Sequence, residues 1–423
     1  MSSAVKCLIV LAIVALLFIT ELIPLAITAM GGAIACGLLG FIPAQQVFSG
    51  LSDSTVVLFA GMFVVGAALF HTGLAQKIGI GIVKISGTKE SSLMFGIMVV
   101  SAALSSCLSN TGTAACLMPV VLGICAAAKI PASRQLMPLA YAAGIGGVIT
   151  MVGTPPNIIV SGVLTSFGYE SFSFFEFAWI GIPLTFVVIA YMMFIGKYLL
   201  PKAELDADQE IEQEIEATVT DSKKQIVSGL ILAVCIIVMA LDLKAISLEM
   251  TAIVGALVCV LTGCLTEKQA YSAIDWVTIF LFAGMMPVSA AMDKTGAGKL
   301  IAEWAVSLMG GSPTPIIMTS VLFIISCTLM QFMSNTAACA LLAPVGVAIS
   351  QQLGASPKAV LMAIGVAASC AFATPVGTPP CTLVLGPGGY KFMDYVKVGV
   401  PLVVLCFIVS IIVIPMVWPF FPG

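Results

Sequence analysis

The chain has 423 residues, 60% of them apolar and only 9% charged, with mean hydropathy +1.15 and net charge −3. A soluble domain carries roughly 25% charged residues, so this composition excludes a soluble globular protein. With one histidine (His71), one arginine (Arg134) and no basic face, nucleic-acid binding is excluded too.

Apolar stretches of roughly 20 residues recur along the chain, each able to cross about 30 Å of hydrocarbon as a helix. Helices are the fitting element, because a span must satisfy its own backbone hydrogen bonds. In the first half they are predicted at about 5–20, 22–42 and 53–72. A long apolar stretch at 91–128 follows, centred on Ser-Asn-Thr, then a helix broken at Gly-Thr-Pro-Pro (136–166) and a last helix at 174–198. The first stretch has no small-residue cleavage signature and reads as a retained span. Eight of the twenty acidic residues then fall between Glu204 and Asp221, which marks 201–225 as an acidic linker. The second half repeats the pattern at 226–243, 248–265, 275–294, 315–352, 358–388 and 394–418.

The repetition is literal. Ser109-Asn110-Thr111 recurs as Ser334-Asn335-Thr336, offset by 225, and Gly153-Thr154-Pro155-Pro156 as Gly377-Thr378-Pro379-Pro380, offset by 224. Leu58 to Met62 recurs as Leu281 to Met285, and Thr72-Gly73 as Thr295-Gly296, both offset by 223. Gly181-Ile182-Pro183 matches Gly399-Val400-Pro401, offset by 218. The chain is therefore read as a duplication, with repeats at 1–200 and 226–423.

If 91–128 and 315–352 are hairpins that enter and leave on one side, each half crosses five times, which inverts the second half. The fold class is then an all-α polytopic membrane protein with two inverted-topology repeats, about ten transmembrane helices, two re-entrant hairpins and two broken helices. With the acidic linker cytoplasmic, twelve lysines and arginines fall inside and five outside. That bias predicts both termini outside. The hairpin tips hold Ser, Asn, Thr and small residues, with no lysine, arginine or proline to anchor them at a water interface.

Inverted repeats with paired broken helices are the mark of secondary transporters. A hairpin turning inside the membrane leaves the first N–H groups of its second arm unpaired and partly positive. Ser109, Thr111, Ser334 and Thr336 are good N-cap types, and such an end binds an anion without lysine or arginine. The last carbonyls of the first arm, with Ser and Asn oxygens, offer a cation a neutral cage. Two consecutive prolines break the helix and free carbonyls at the same depth.

The two Ser-Asn-Thr tips, each followed by a Thr-Pro break, and Thr20-Glu21-Leu22-Ile23-Pro24 resemble the divalent anion/sodium symporter (DASS) family of the ion transporter superfamily. The resemblance covers nearly the whole chain. It implies carriage of dicarboxylates, citrate or sulfate, coupling to sodium (Na+), an elevator motion, and a homodimer formed through scaffold helices. Members have eleven spans plus two hairpins, one more than counted here. The resemblance also implies a first sodium site at Ser105, Ser109, Asn110 and Gly153. A second would use Asn335 with the carbonyls of Met333 and Gly377, although Met330 stands where the family has a hydroxyl. Substrate carboxylates would meet Asn110, Thr111 and Thr154 from one side and Ser334, Asn335, Thr336 and Thr378 from the other. Cys381 stands opposite Asn157, so the two sides differ chemically, an asymmetry open to tuning selectivity.

The remaining polar groups have structural readings. Asp53 and Asp275 fit helix N-caps, Glu21 and Glu249 an interfacial position, His71 a solvated loop, and Gly32 and Gly255 close helix packing. The thirteen cysteines are scattered through apolar segments without a Cys-x-x-Cys pair, so they read as small hydrophobes. Weaker alternatives are an anion exchanger, a sodium/proton or arsenite-type transporter, and an ion channel. A sodium–proton exchanger needs a titratable carboxylate at its site, and 91–166 and 315–388 contain no Asp or Glu. Nothing supports an enzyme, since no Ser/His pair, metal cluster or His-Glu-x-x-His motif occurs. Substrate, cations and lipid are the partners this reading implies.

Overall fold

The computed structural model describes residues 2–86, 89–201, 222–241, 246–308 and 313–421, all of whose regular structure is helical. Residues 202–221 of the acidic linker, and with them Glu204 to Asp221, lie outside the described residues.

In the first half, helices run α1 Ser3–Thr20, α2 Leu25–Leu38, α3 Ser54–His71, α4 Leu74–Ser86, α5 Glu90–Ser105, α6 Asn110–Ala128, α7 Leu136–Gly146, α8 Pro155–Ser166 and α9 Ala178–Leu199. In the second they run α10 Ser222–Ala240, α11 Leu248–Leu261, α12 Glu267–Ala273, α13 Trp276–Thr295, α14 Ala297–Leu308, α15 Pro315–Leu329, α16 Asn335–Leu353, α17 Pro357–Ser369, α18 Pro379–Leu385 and α19 Phe392–Val417. Eight of the described helices are long and apolar enough to cross a membrane. Along α19, Val400, Val404, Ile408, Ile412 and Met416 recur every fourth residue and stay exposed, the outward apolar face that lipid would cover.

The predicted turns hold where chemistry forces them. Both Ser-Asn-Thr stretches turn, α5 into α6 and α15 into α16, and both Gly-Thr-Pro-Pro stretches break, α7 from α8 and α17 from α18. Elsewhere the structure differs from expectation. The helices predicted at 22–42 and 248–265 shrink to 14 residues each, about 21 Å of rise. Pro24 delays the start of α2, and left-handed glycines, Gly40 at φ 74° and Gly263 at φ 70°, lie just past the ends of α2 and α11. The helices α4 and α14 were not predicted. Each follows the repeated Thr-Gly, whose glycine has φ 74° at Gly73 and 75° at Gly296. Lysines interrupt both helices, so neither reads as a span.

Packing sorts the helices into two bodies. One groups α1, α2, α3, α10, α11 and α13, where α2 packs on α13 and α11 packs on α3. These two contacts exchange between the halves. The other body holds the two hairpins, the two broken helices, α9 and α19. A cation sits at the start of each broken helix. Arg134 Nε contacts Glu90 Oε1 at 2.8 Å, and Lys358 Nζ lies 3.6 Å from both Glu170 and Glu176. Asp53 and Asp275 cap α3 and α13 as expected, accepting from Thr55 N at 2.8 Å and Thr278 N at 3.1 Å. Gly32 and Gly255 are tightly packed, against Val14 and Cys235 respectively.

Candidate functional site

Each hairpin turns in a few residues, and its second arm begins at the motif asparagine. At the first tip Ser109 is the N-cap, its Oγ accepting from Gly112 N at 3.0 Å. At the second, Ser334 is the N-cap without a side-chain hydrogen bond. A threonine hydroxyl ties each tip to the neighbouring break. Thr150 Oγ1 donates to the carbonyl of Ser106, and Thr374 Oγ1 donates to that of Gln331 at 2.7 Å. Neither threonine was singled out from the sequence, yet the signal was there. The repeated motif is longer than Gly-Thr-Pro-Pro, reading Thr-x-Val-Gly-Thr-Pro-Pro from Thr150 and again from Thr374.

The first tip gathers oxygen. The Asn110 amide faces Ser105 Oγ at 2.7 Å, the Gly153 carbonyl at 3.0 Å and the Ala143 carbonyl at 3.2 Å. Ser105 Oγ also lies 2.6 Å from the Ala143 carbonyl. With nitrogen turned toward this point, Asn110 donates into the cluster. With oxygen turned there, four neutral oxygens converge, the donor set a hard cation prefers. Three of the four residues expected at the first sodium site, Ser105, Asn110 and Gly153, therefore meet. The fourth, Ser109, spends its hydroxyl on the helix cap, and the Ala143 carbonyl, which the sequence reading missed, takes a place in the cluster.

The second tip is built differently. Met330 is fully buried and its side chain brings no oxygen, but its carbonyl and that of Ala371 crowd Gly377, where a β-carbon would lie 3.2 and 2.8 Å away. Met333 is buried. Asn335 Oδ1 and Thr378 Oγ1 are buried with no hydrogen-bond partner among the described residues. An orphaned buried acceptor costs about 1–3 kcal/mol, so each of these oxygens is a point where a cation or a donor group would be welcome.

The breaks differ in the way the repeats predicted, with another consequence. Asn157 is fully buried and its Nδ2 reaches the freed carbonyls of Thr150 at 2.8 Å and of Gly147 and Val148 at 3.4 Å. Cys381, its counterpart, makes no such clasp among the described residues. There Thr382 Oγ1 donates to the Pro375 carbonyl at 2.7 Å, and Tyr395 Oη to the Cys381 carbonyl at 2.7 Å. The Asn157–Cys381 difference is thus one of how each break is held together.

The halves meet reciprocally at these elements. The second arm of the second hairpin, α16, packs on α8, and that of the first hairpin, α6, packs on α18. Cys339 Sγ, one turn past Asn335, lies 3.7 Å from the carbonyl of Pro156, two residues past Thr154. Thr154 and Thr378 are buried N-caps of α8 and α18 without a side-chain capping bond. Asn110 Nδ2 lies 3.5 Å from Thr154 Oγ1. Thr111 is exposed and Thr336 half-buried, neither with a side-chain hydrogen bond among the described residues. A cavity of about 360 Å³ reaches the first tip at Ser109, Gly112 and Gly153 and is also lined by residues of α3 and α12. His71, exposed as expected, lines it too, whereas the residues of the second tip do not.

Comparison with known proteins gives the geometry its context. The family model for citrate transporters matches residues 15–245 and 233–421. An uncharacterized transporter of Haemophilus influenzae is 31% identical, over 94% of this chain and 88% of its own length. The sodium-dependent dicarboxylate transporter SdcS of Staphylococcus aureus is 26% identical, over 96% of this chain and 84% of its own. Among solved structures, the fold is similar to the Alcanivorax borkumensis YdaH transporter, with TM-score 0.63, 15% identity and coverage of 95% and 98% of the two chains. It is also similar to Neisseria gonorrhoeae MtrF, with TM-score 0.65, 15% identity and coverage of 92% and 86%.

Proposed function

Because this chain belongs to the citrate transporter family, and is thus a multi-pass membrane transporter of the DASS type, we propose that it couples the uptake of a small divalent anion to sodium. A dicarboxylate is the foremost candidate, then citrate or sulfate. The observation that carries the reading is the convergence at the first tip of Ser105, Asn110 and the carbonyls of Ala143 and Gly153. These neutral oxygens lie beside a helix N-terminus that favours negative charge, so one tip can hold a cation and a carboxylate together. The tips at 105–112 and 330–337 and the breaks at 153–156 and 377–380 contain no Lys or Arg, so a bound sodium ion supplies the positive charge that the anion needs. The relative SdcS carries sodium-dependent dicarboxylate transport in its name, which supports the same choice.

In this reading Ser105, Asn110, Ala143 and Gly153 hold the first ion. Asn335 Oδ1 with the carbonyls of Met330 and Ala371 holds a second, and Met333 and Gly377 shape its backbone. The anion lies between the first turns of α6 and α8 on one side and of α16 and α18 on the other, against Thr154 and Thr378. Thr111, Ser334 and Thr336 line its approach. The repeats are inverted, the acidic linker is cytoplasmic and both termini are outside. The body of hairpins and broken helices slides as an elevator against the other, which also forms a homodimer. Purified protein in liposomes takes up labelled succinate, citrate or sulfate when sodium is present outside and potassium inside. Uptake of all three that ignores the sodium gradient rejects the proposal.

A further inference from the structure

We propose that Lys268 draws the anion into the cavity at the first tip, a role that rests on the anion-transport reading above. Lys268, Gln269 and Ser272 of α12 line this cavity together with Ser109, Gly112 and Gly153 of the tip and break. Lys268 is the one lysine, arginine or acidic residue among the lining residues, and the exposed His71 lies at the same mouth. A low-dielectric cleft lined by charge of one sign concentrates counter-ions of the other.

The position of Lys268 is built by its helix. Thr266 and Gln269 form a reciprocal capping box that starts α12, and buried Ala270 seats the helix against α3. Lys268 Nζ makes no ion pair or hydrogen bond among the described residues. The neighbouring Glu267 does not line the cavity; it shares a second, shallower depression with Lys268, Tyr271, Ser272 and Trp276, so Lys268 borders both.

The duplication supplies an internal comparison. At an offset of 223, the counterparts of His71 and Gln269 are Lys294 and Gln46. There the amine is occupied, with Lys294 Nζ donating to Gln46 Oε1 at 2.8 Å. Both lysines belong to the second half, and the first-half positions that match them are Gln45 and His71. The one held by glutamine is away from the first-tip cavity, and the unpaired one lines it.

Cys107 lines the same cavity and is half-buried, which makes it a reporter that works whether or not the protein transports. The test is the rate at which Cys107 in the full chain forms a mixed disulfide with sulfonatoethyl methanethiosulfonate, an anion, relative to aminoethyl methanethiosulfonate, a cation. Background is subtracted with Cys107→Ser. The ratio cancels changes in thiolate fraction. It is expected to fall on the order of 5-fold in Lys268→Gln and further in Lys268→Glu, and to recover in Lys268→Arg. In liposomes, Lys268→Gln and Lys268→Glu raise the half-saturating concentration of whichever anion the wild type carries on the face that bears α12, the cytoplasmic one in the proposed topology, and spare the maximal rate. A reagent ratio indifferent to Lys268→Gln and Lys268→Glu overturns the inference. Wild-type failure in the sodium-gradient assay, with the ratio still shifting, instead counts against the transport reading.

Discussion

Gly61 lies directly against the backbone of Ala252, so that a β-carbon on it would come within 2.6 Å of the Ala252 carbonyl carbon. Gly284 lies against Ala29 at the same 2.6 Å, and both members of this second pair are offset by 223 from the first. The two halves therefore contact each other through exchanged copies of one contact. Neither half completes that packing alone.

Adding bulk at this contact separates two backbones that touch. Gly61→Val and Gly284→Val should each cost about 1–3 kcal/mol, read as a lower melting temperature in detergent by intrinsic fluorescence. Gly31, whose β-carbon would meet nothing within 4 Å, is the control. Gly31→Ala should leave the melt unchanged, and equal losses at all three positions would contradict the packing argument.

Removing the Ser105 hydroxyl takes one oxygen from the cluster around Asn110 and should weaken sodium selectively. Ser105→Ala is expected to raise the sodium concentration for half-maximal uptake by roughly 10-fold. The anion KM at saturating sodium should move much less. A rise in anion KM with unchanged sodium dependence would remove Ser105 from the cation site.

Thr150 and Thr374 should behave as a pair, because each hydroxyl fastens a hairpin tip to a break. Thr150→Val and Thr374→Val each lose a hydrogen bond worth about 1 kcal/mol. Amide exchange should rise at 106–112 in the first variant and at 331–337 in the second. Exchange that rises at neither tip would show that the tips do not depend on these ties.

Asn157→Ala strips the donor from the carbonyls of Gly147, Val148 and Thr150 and should cost about 2–3 kcal/mol. The matching change Cys381→Ala should cost only about 1 kcal/mol, since it trims a small buried side chain. The measurement is the difference between the two melting shifts, and a larger loss for Cys381→Ala would invert the assignment of the clasp.

What could be read from sequence was what backbone chemistry forces. Paired prolines must break a helix, so 153–156 and 377–380 located the breaks. Polar tips inside apolar runs located the turns at Asn110 and Asn335. The lengths of α2 and α11 were not legible, because left-handed glycines end them inside stretches that remain apolar. Nor were α4 and α14, whose lysines disguise short helices as loops. The cluster at Asn110 was half legible. Side-chain oxygens announce themselves by residue type, whereas the Ala143 carbonyl belongs to a residue with no polar side chain. The exchange of α2 and α11 between halves rests on Gly61, Gly284, Ala29 and Ala252, small residues whose partners only three dimensions reveal.

The lack of Asp and Glu through 91–166 and 315–388 has an electrical consequence. If the hairpin body shuttles across the bilayer, its unloaded return carries no carboxylate charge through the field at the tips. Membrane voltage is worth about 2.3 kcal/mol per elementary charge per 100 mV. At the tips, that energy acts on the passengers and not on side chains of the vehicle. Whatever charge the vehicle carries across it also carries back, so the net current per cycle adds only the sodium ions to the anion's own charge, and a reversal potential counts the stoichiometry.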